Sequence, residues 1–566
     1  MDKKLKKYLL IFSTVLISGC AGGGVTSSIS SSPSSEFPPE EQYEEPILQE
    51  DTNTNYTFDD SISNKDGSMC YEIFVRSFYD TDNDGIGDML GVKEKIPYLA
   101  DLGIKTLWLM PIHPSPSYHG YDVKNYYQVN PDYGTLDDFD ALVEEAAKYN
   151  VDIMLDMVFN HCSRENPYFV ESYNDFKMGK EGEDSKADWF TWSTKGGYNN
   201  CNSSYKNDPE AWYEARFDAT MPDFNFDNPQ VRAEIENIMK FWIVDHGVKG
   251  FRLDAVKYFY YEDTTRNAEV LSWLEETAKK YDEDFYMVGE CWSSAVAVNN
   301  YHASSLDSFF RFEASYGGKQ GSNTITNAAK GRTKASVFIN EVVKNVNTIK
   351  SRNPNAYPSY FQSNHDMDRV AKAYTSVEQE KAAASLLGML PGTSYLYYGE
   401  EISMLGTRKT SPDDYSDSRR RLPMIWDKED KTGECDFPEK NRLDLSNNDQ
   451  VELGVNDRLE ENYSLLNHYK KVINVRNKYG DLFKYATVTS KIDGLNVDEK
   501  YKNNVYAYEL SYNGEKILIV HNFADKNIKC TIENSEILDS INTTRRVPEY
   551  SNNTLVLGAH STVIMK

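Results

Sequence analysis

The chain has 566 residues, 40% of them hydrophobic and 13% aromatic, which is enough apolar surface to build folded interiors and excludes a disordered scaffold. Lysine and arginine total 61 against 88 aspartates and glutamates, a net charge of -27 with no basic patch to interrupt it, so nucleic acid is excluded as a partner. With 40 tyrosines and 8 tryptophans, this acidic composition suits a neutral polyhydroxylated ligand held by stacking, or divalent cations held by carboxylates.

At the N-terminus, Lys3, Lys4, Lys6 and Lys7 precede an apolar run over 8–17 that is too short to span a bilayer, so residues 1–19 read as a signal peptide. The run ends in Leu16-Ile17-Ser18-Gly19-Cys20, which resembles the bacterial lipobox. That resemblance implies cleavage before Cys20, lipidation of Cys20, and attachment to the outer face of a bacterial cell membrane through the lipid alone. Residues 20–66 are rich in Gly, Ser, Pro and Glu and read as a flexible acidic tether. The remaining cysteines, Cys70, Cys162, Cys201, Cys291, Cys435 and Cys530, lack CxxC spacing and support neither a zinc nor a redox motif. A Cys162 to Cys201 bridge and six free thiols both stay open.

Short apolar runs at 69–78, 106–111, 152–160, 250–256, 285–292, 308–314, 357–365 and 393–399 alternate with amphipathic stretches. The alternation predicts a parallel sheet with helical crossovers, and eight such units predict an α/β fold, a (β/α)8 TIM barrel over 67–482. Between the second and third runs, Thr135 can cap a helix with Leu136, Phe139, Leu142, Val143 and Ala146 on one face. The connection 162–226 is too long for a plain loop and reads as an inserted domain after strand 3. Its aromatics at 188–192 and 212–213 form either its own core or a stacking wall. Before the fourth run, Asn228-Pro229 supplies an N-cap and a first-turn proline for a helix ending near Gly247. Beyond a helix around 460–478 the pattern changes to period two, with Tyr506, Tyr508 and Leu510 on one face and Ala507 and Glu509 on the other. It leads to Asn513-Gly514, a hairpin turn, so residues 483–566 read as a C-terminal antiparallel β-domain.

In a parallel barrel the loops at the carboxyl ends of the strands open onto one face, where functional side chains collect. The third strand ends in Asp156-Met157-Val158-Phe159-Asn160-His161, and the fourth in Gly250-Phe251-Arg252-Leu253-Asp254-Ala255-Val256-Lys257. The fifth ends in Val288-Gly289-Glu290-Cys291-Trp292, and the seventh in Phe361-Gln362-Ser363-Asn364-His365-Asp366. A lone acid after a strand usually caps the next helix, but four such segments in this order are specific. Earlier, Asp80-Thr81-Asp82-Asn83-Asp84-Gly85-Ile86-Gly87-Asp88 places carboxylates at alternate positions of a glycine-bearing loop, an arrangement suited to a hard cation, without the bidentate Glu of an EF-hand.

These segments resemble the signature regions of the α-amylase family of retaining glycoside hydrolases, over roughly 68–566. The resemblance implies the (β/α)8 barrel, the inserted domain after the third strand and a C-terminal β-sandwich. It implies Asp254 as nucleophile, Glu290 as general acid/base, and Asp366 as a third acid that binds sugar hydroxyls. His161 and His365 would hydrogen-bond the sugar, Tyr121 would stack under it, and Arg252, Lys257 and Trp292 complete the substrate-binding set. Cleaving an acetal through an oxocarbenium-like state needs a carboxylate to trap the cation and a protonated carboxyl to aid the leaving oxygen. Glu290 is therefore expected to have its pKa raised by the nearby carboxylates, while Arg252 keeps Asp254 ionised. The acidic loop is similar to a Ca2+ loop of many members, with Asp80, Asp82, Asp84, the Ile86 carbonyl and Asp88 as ligands. Asn160, Asp223 and the Tyr258 carbonyl match a second calcium position between barrel and inserted domain.

The segment Met221-Pro222-Asp223-Phe224-Asn225 is similar to that of a group intermediate between oligo-1,6-glucosidases and neopullulanases, which contains lipid-anchored α-amylases. Three positions depart from family patterns. Tyr258 follows Lys257 where His is usual, Ser394 replaces a common Pro, and Tyr118 stands where exo-acting α-glucosidases carry an Asp that closes the cleft. The last departure implies an open cleft and endo-hydrolysis of α-1,4 bonds in starch and maltooligosaccharides. Neopullulanase, oligo-1,6-glucosidase and 4-α-glucanotransferase activities keep the same residues and remain alternatives. A non-catalytic starch-binding lipoprotein would have lost one of the three acids. No Walker loop, HExxH or GxSxG motif occurs.

Overall fold

The computed structural model describes residues 44–50, 69–198, 200–261, 263–316, 324–408, 414–437 and 450–566. The signal peptide, Cys20 and most of the tether lie outside the described residues. Eight strands form a closed ring: β1 (Met69–Ile73), β2 (Thr106–Leu109), β3 (Asp152–Met157), β4 (Gly250–Leu253), β5 (Tyr286–Gly289), β6 (Ser308–Phe310), β7 (Tyr357–Phe361) and β8 (Thr393–Tyr397). Each pairs in parallel with its neighbours in chain order, and β1 closes on β8. All eight predicted strands are present, each shorter than its apolar run, because the second half of each run turns outward as loop.

Local chemistry sets the crossovers. Before the helix Leu136–Lys148, the Thr135 hydroxyl accepts from the Asp138 N–H and the Asp138 carboxylate answers to the Thr135 N–H, a capping box contributing about 1 kcal/mol. Phe139, Leu142 and Ala146 are buried on the sheet side of this helix. The helix Pro229–Lys240 starts on Asn228, whose side chain accepts from the Gln230 N–H, and passes into a wider π turn over Phe241–Asp245. That turn seats Trp242 in the core, its indole N–H donating to the Tyr126 carbonyl at 2.8 Å.

The barrel lumen is packed, not open. Cys70, Trp108, Met154, Val288, Phe310, Phe361 and Tyr395 form one buried layer inside it, separate from the larger core between sheet and helices. Side chains alternate across a strand, so two residues further on the same inward face carries Glu72, Asp156 and Glu290, and β4 adds Arg252 and then Asp254. The apolar layer thus forms the floor on which a charged layer stands.

The insertion contains the helix Pro167–Met178 and a small sheet in which Trp212–Tyr213 pairs with both Trp192–Ser193 and Ser203–Ser204. Phe169 is fully buried among Phe190, Trp192, Tyr205 and Tyr213, with ring centroids 4.9–5.1 Å away. These aromatics are the insertion's own core and not a stacking wall. Cys162 and Cys201 are buried and not joined in a disulfide, nor are the other four described cysteines, so among the described residues the open disulfide question resolves to thiols.

The C-terminal part comprises β9 (Thr487–Ser490), β10 (Asn496–Val497), β11 (Val505–Tyr512), β12 (Glu515–Asn522), β13 (Ile528–Thr531), β14 (Ile537–Ile541), β15 (Glu549–Ser551), β16 (Thr554–Leu557) and β17 (Thr562–Met565). They form two antiparallel sheets, ordered β9-β11-β12-β17-β14 and β10-β13-β16-β15. Asn513 and Gly514 both have positive φ, 48° and 83°, the mirror-image turn that matches strand twist. Ala507 faces the core between the sheets, while Tyr506 and Tyr508 face the barrel helices and donate to the carbonyls of Thr333 (2.5 Å) and Met389 (2.7 Å). Both faces of β11 are therefore buried.

One expectation needs correction. Residues 45–50, read as part of a flexible tether, lie against the C-terminal sandwich. Leu48 is 4% exposed, Glu50 bridges Arg546 in antiparallel fashion, and the Gln49 carbonyl accepts from the Val547 N–H at 3.2 Å. Glu45 accepts from the Asn527 N–H at 2.9 Å and pairs with Lys526 at 3.0 Å. A single leucine in an acidic, proline-bearing stretch has no periodicity, so its burial is invisible until the surface that receives it exists.

Candidate active site

Strand register brings the acids together. Arg252 pairs with Val288 and Leu253 with Gly289, so the next residues, Asp254 and Glu290, leave adjacent strands side by side at the carboxyl end of the barrel. Pairing continues past the strand ends: the Glu290 N–H donates to the Leu253 carbonyl at 2.9 Å, and the Asp254 N–H to the Met157 carbonyl at 3.1 Å. Arg252 lies between two acids, its Nη1 donating to Asp254 Oδ1 at 2.6 Å and to Asp156 Oδ1 at 2.8 Å. The guanidinium is buried, while the side chain of Asp254 stays 12% exposed at the floor of the cleft.

Glu290 Oε2 accepts from the Ala255 N–H at 3.0 Å. Ala255 holds φ at 53°, a left-handed conformation that costs a non-glycine residue about 1 kcal/mol, so the turn after Asp254 is maintained by its surroundings. Burial raises the Glu290 pKa above the ordinary glutamate range, with Asp254 and Asp366 adding to it against the pull of Arg252. The expected direction holds, but burial leads and the neighbouring carboxylates follow. Burial also pushes Asp156 up to about 7, with Asp254 adding to the rise and Arg252 opposing it.

Asp366 enters from the loop after β7. Burial works against its charge, but His365 and then Arg421 outweigh it and hold the carboxyl well below the usual range. His365 Nε2 lies 2.9 Å from Asp366 Oδ2, and Arg421 Nη2 lies 3.2 Å from Oδ1. Tyr121 stacks on His365 at 5.7 Å and 19°, and its hydroxyl reaches Asp156 Oδ2 at 3.0 Å. His161 is buried, with Asn160 Nδ2 3.2 Å from its Nδ1 and no protein partner on Nε2. Lys257 and Trp292 tie two loops together, Lys257 Nζ donating to the Trp292 carbonyl at 2.8 Å, while the Trp292 ring lies parallel to Phe312 at 4.8 Å.

Arg421 is the residue that sequence reasoning missed. It is 2% exposed, donates through Nε to the His365 carbonyl at 3.2 Å, and leaves Nη1 without a partner among the described residues. The available signal was Arg419-Arg420-Arg421, three consecutive cations in an acidic chain, which does not say which of them points inward. At position 118, the Tyr118 ring packs between Phe74 and Tyr415, at 5.3 and 5.1 Å.

The acidic loop folds on its own backbone. Asp80 accepts from the N–H groups of Asn83 (2.7 Å) and Gly85 (2.8 Å), and Asp88 accepts from Thr81 and caps the next helix through the Gly91 N–H. Carboxylate oxygens of Asp80, Asp82 and Asp88 lie within 4.8 Å of one another. Asp84 stands outside that cluster, its Oδ1 accepting from the Ile86 N–H at 2.7 Å, and burial with Asp82 and Asp80 raises its pKa. At the second position, Asn160 Nδ2 donates to Asp223 Oδ1 at 3.0 Å, and burial and Glu214 push Asp223 up to about 8. The Tyr258 ring there packs edge-on against Phe217, 4.9 Å away.

Comparison with known proteins places this geometry. The family profile "Alpha amylase, catalytic domain" matches residues 72–486, and "Alpha-amylase SusG C-terminal domain" matches 505–564. "Alpha-amylase 3" of Dictyoglomus thermophilum is 36% identical over 502 residues, covering 88% of this chain and 93% of that protein. An "Oligo-1,6-glucosidase" of Parageobacillus thermoglucosidasius is 28% identical, over 81% of this chain and 90% of its own. Among solved structures, Eubacterium rectale Amy13B superposes with a TM-score of 0.77 at 33% identity, covering 89% of this chain and 97% of that one.

Proposed function

The chain belongs to the α-amylase family of glycoside hydrolases, and from that premise we propose that it cleaves internal α-1,4 bonds of starch and maltooligosaccharides with retention of configuration. The observation that carries the reading is the placement of Asp254 and Glu290 at the carboxyl ends of adjacent paired strands, because two carboxyls that open on one cleft can serve as a nucleophile and an acid/base for one glycosidic bond. Asp254, charged against Arg252, attacks the anomeric carbon from one side. Glu290, whose pKa burial raises, donates a proton to the leaving oxygen and afterwards takes one from water as the glycosyl-enzyme is hydrolysed. Asp366 and His161 bind the sugar hydroxyls, Tyr121 stacks beneath the ring, and the buried His365 and Arg421 orient Asp366.

Endo action is supported by Tyr118, an aromatic ring where an acidic side chain would close the glycone end. Calcium fits the donor sets. Asp80, Asp82 and Asp88 gather oxygens as a hard cation requires, with Asp84 and the Ile86 carbonyl beside them. At the second position the buried Asp223 and the unpartnered Oδ1 of Asn160 are the donors, with the Tyr258 carbonyl as the third. A bound cation would offset the negative charge of these carboxylates and hold the loop after β1 in its folded form. The lipobox-like segment ending at Cys20 supports export and anchoring by lipid to the outer face of a bacterial membrane.

The test is the early product profile, by size and anomer, from soluble starch and pullulan. Mixed oligosaccharides of α-anomeric form are expected from starch. Glucose alone would refute endo action, and attack on pullulan would extend the activity to that of a neopullulanase.

A further inference from the structure

Glu72 lies at the centre of β1, 1% exposed, with its side chain in the charged layer of the lumen. A carboxylate buried this deeply costs several kcal/mol unless it is paired and hydrogen-bonded. Its partner is His365. Glu72 Oε1 lies 2.5 Å from Nδ1 of the ring and also faces the His365 backbone N–H at 3.4 Å. On the far side of the ring, Nε2 lies 2.9 Å from Asp366 Oδ2 and 2.7 Å from the Tyr121 hydroxyl. That hydroxyl also lies 3.0 Å from Asp156 Oδ2, so the acceptor that decides the state of Nε2 is the Asp366 carboxylate, held in its charged form. An ionised carboxylate only accepts. Both ring nitrogens therefore meet acceptors, and the doubly protonated imidazolium is the form that supplies a donor to each.

We propose that Glu72 is a positioning residue that holds His365 as an imidazolium, bridging Glu72 to Asp366 and so fixing Asp366 as an oriented, ionised carboxylate for the sugar. The inference rests on the placement of Asp366 and His365 at the sugar-binding site. The groups facing the ring agree with it. Glu72 comes from β1, Asp156 from β3 and Asp366 from the loop after β7; the Trp108 ring of β2 meets the imidazole edge-on at 5.7 Å. The cations nearby are engaged elsewhere, Arg252 of β4 on Asp156 and Asp254, and Arg421 on Asp366 and the His365 carbonyl. Burial pulls the ring's pKa down, but Asp366 and Glu72 outweigh it and lift His365 to about 9. With the folded-state value raised, the cation is complete at and below neutral pH and is lost only as pH rises through that value.

The experiment is a pH titration of the His365 ring by NMR in the full chain labelled with 13C-histidine, the signal assigned by its absence in His365→Ala, alongside kcat/KM against pH. In the unsubstituted protein the ring is expected to stay an imidazolium to above pH 8. Titration near 6.5 or below overturns the proposal with no variant needed. Glu72→Gln keeps an oxygen that can accept from Nδ1 but removes the charge. It is expected to lower the ring's titration by at least about one pH unit, a tenfold change in proton affinity, and to draw the alkaline limb of kcat/KM toward acid, while activity at pH 5 falls less than about threefold. A loss of equal size at every pH would mean a merely structural role and would overturn it. Asp254→Asn separates this from the broader reading. An active Asp254→Asn enzyme sinks the site assignment, whereas an inactive one with a neutral His365 sinks only the role of Glu72.

Discussion

Arg252 offers the sharpest perturbation, because it is a buried cation between Asp156 and Asp254 with an Nη1 contact to each. Its charge centre lies about 4 Å from that of Asp254, which at an effective dielectric of 20 corresponds to roughly 4 kcal/mol of attraction before the cost of burying both groups is counted. Burial raises the Asp156 carboxyl, with Asp254 adding to the rise and Arg252 opposing it, so the guanidinium balances two acids that act on each other. Removing the charge while keeping polarity, in Arg252→Gln, should move the acid limb of kcat/KM upward by more than about one pH unit and lower kcat/KM at pH 5 by at least about tenfold. Arg252→Lys, which retains the charge, should shift the limb by less than about one unit. The assay is kcat/KM against pH on a chromogenic maltooligosaccharide. Circular dichroism at each pH should confirm folding, since leaving a buried pair half-broken costs about 3–5 kcal/mol. An Arg252→Gln enzyme with an unmoved acid limb, whatever its absolute rate, would refute the argument that this guanidinium keeps the nucleophile charged.

Asp254→Asn should abolish turnover while leaving maltoheptaose binding within about tenfold by calorimetry; hydrolysis near the unsubstituted rate would remove Asp254 from the nucleophile role. Chelation should lower the melting temperature, since a ligand at 100 times its Kd stabilises the folded form by about 2.7 kcal/mol, and an identical Tm with excess EDTA and with calcium would contradict the metal loop. Gly87→Ala would place a Cβ 2.1 Å from the Val75 carbonyl oxygen, so the same loop should lose at least about 1–3 kcal/mol, read as a drop in Tm; an unchanged Tm would show that the loop is slack. Leu48→Asp should release residues 45–50 and expose the Val547 amide to hydrogen exchange, leaving the main unfolding transition in place. Unchanged protection of that amide would mean that Leu48 does not hold the segment.

Much of the framework was legible because it is encoded within a strand or a helical turn. The period-two runs, the Thr135 capping box, Asn228-Pro229 and the Asn513-Gly514 turn each act over a few residues, and each reappears where local chemistry places it. The three acids were legible because they follow strands whose loops all open on one face, so their order alone identified the cleft. What the sequence could not decide is who meets whom across the lumen. Glu72 and His365 are 293 residues apart and touch only because the ring closes, and nothing in β1 marks an inward glutamate as the partner of a histidine. Arg421 was one of three equal arginines until the loop after β8 buried one of them beside Asp366. The rank of causes behind the Glu290 pKa likewise came from tertiary burial, a quantity that no spacing of acids along the chain expresses. Sequence by itself determined the elements, their caps and the chemical identity of the acids, since these depend on neighbours a few residues away. Only the tertiary structure decided the charge partners, the insertion's closed aromatic core and the docked segment 45–50, because each depends on surfaces that exist only after distant parts of the chain have packed together.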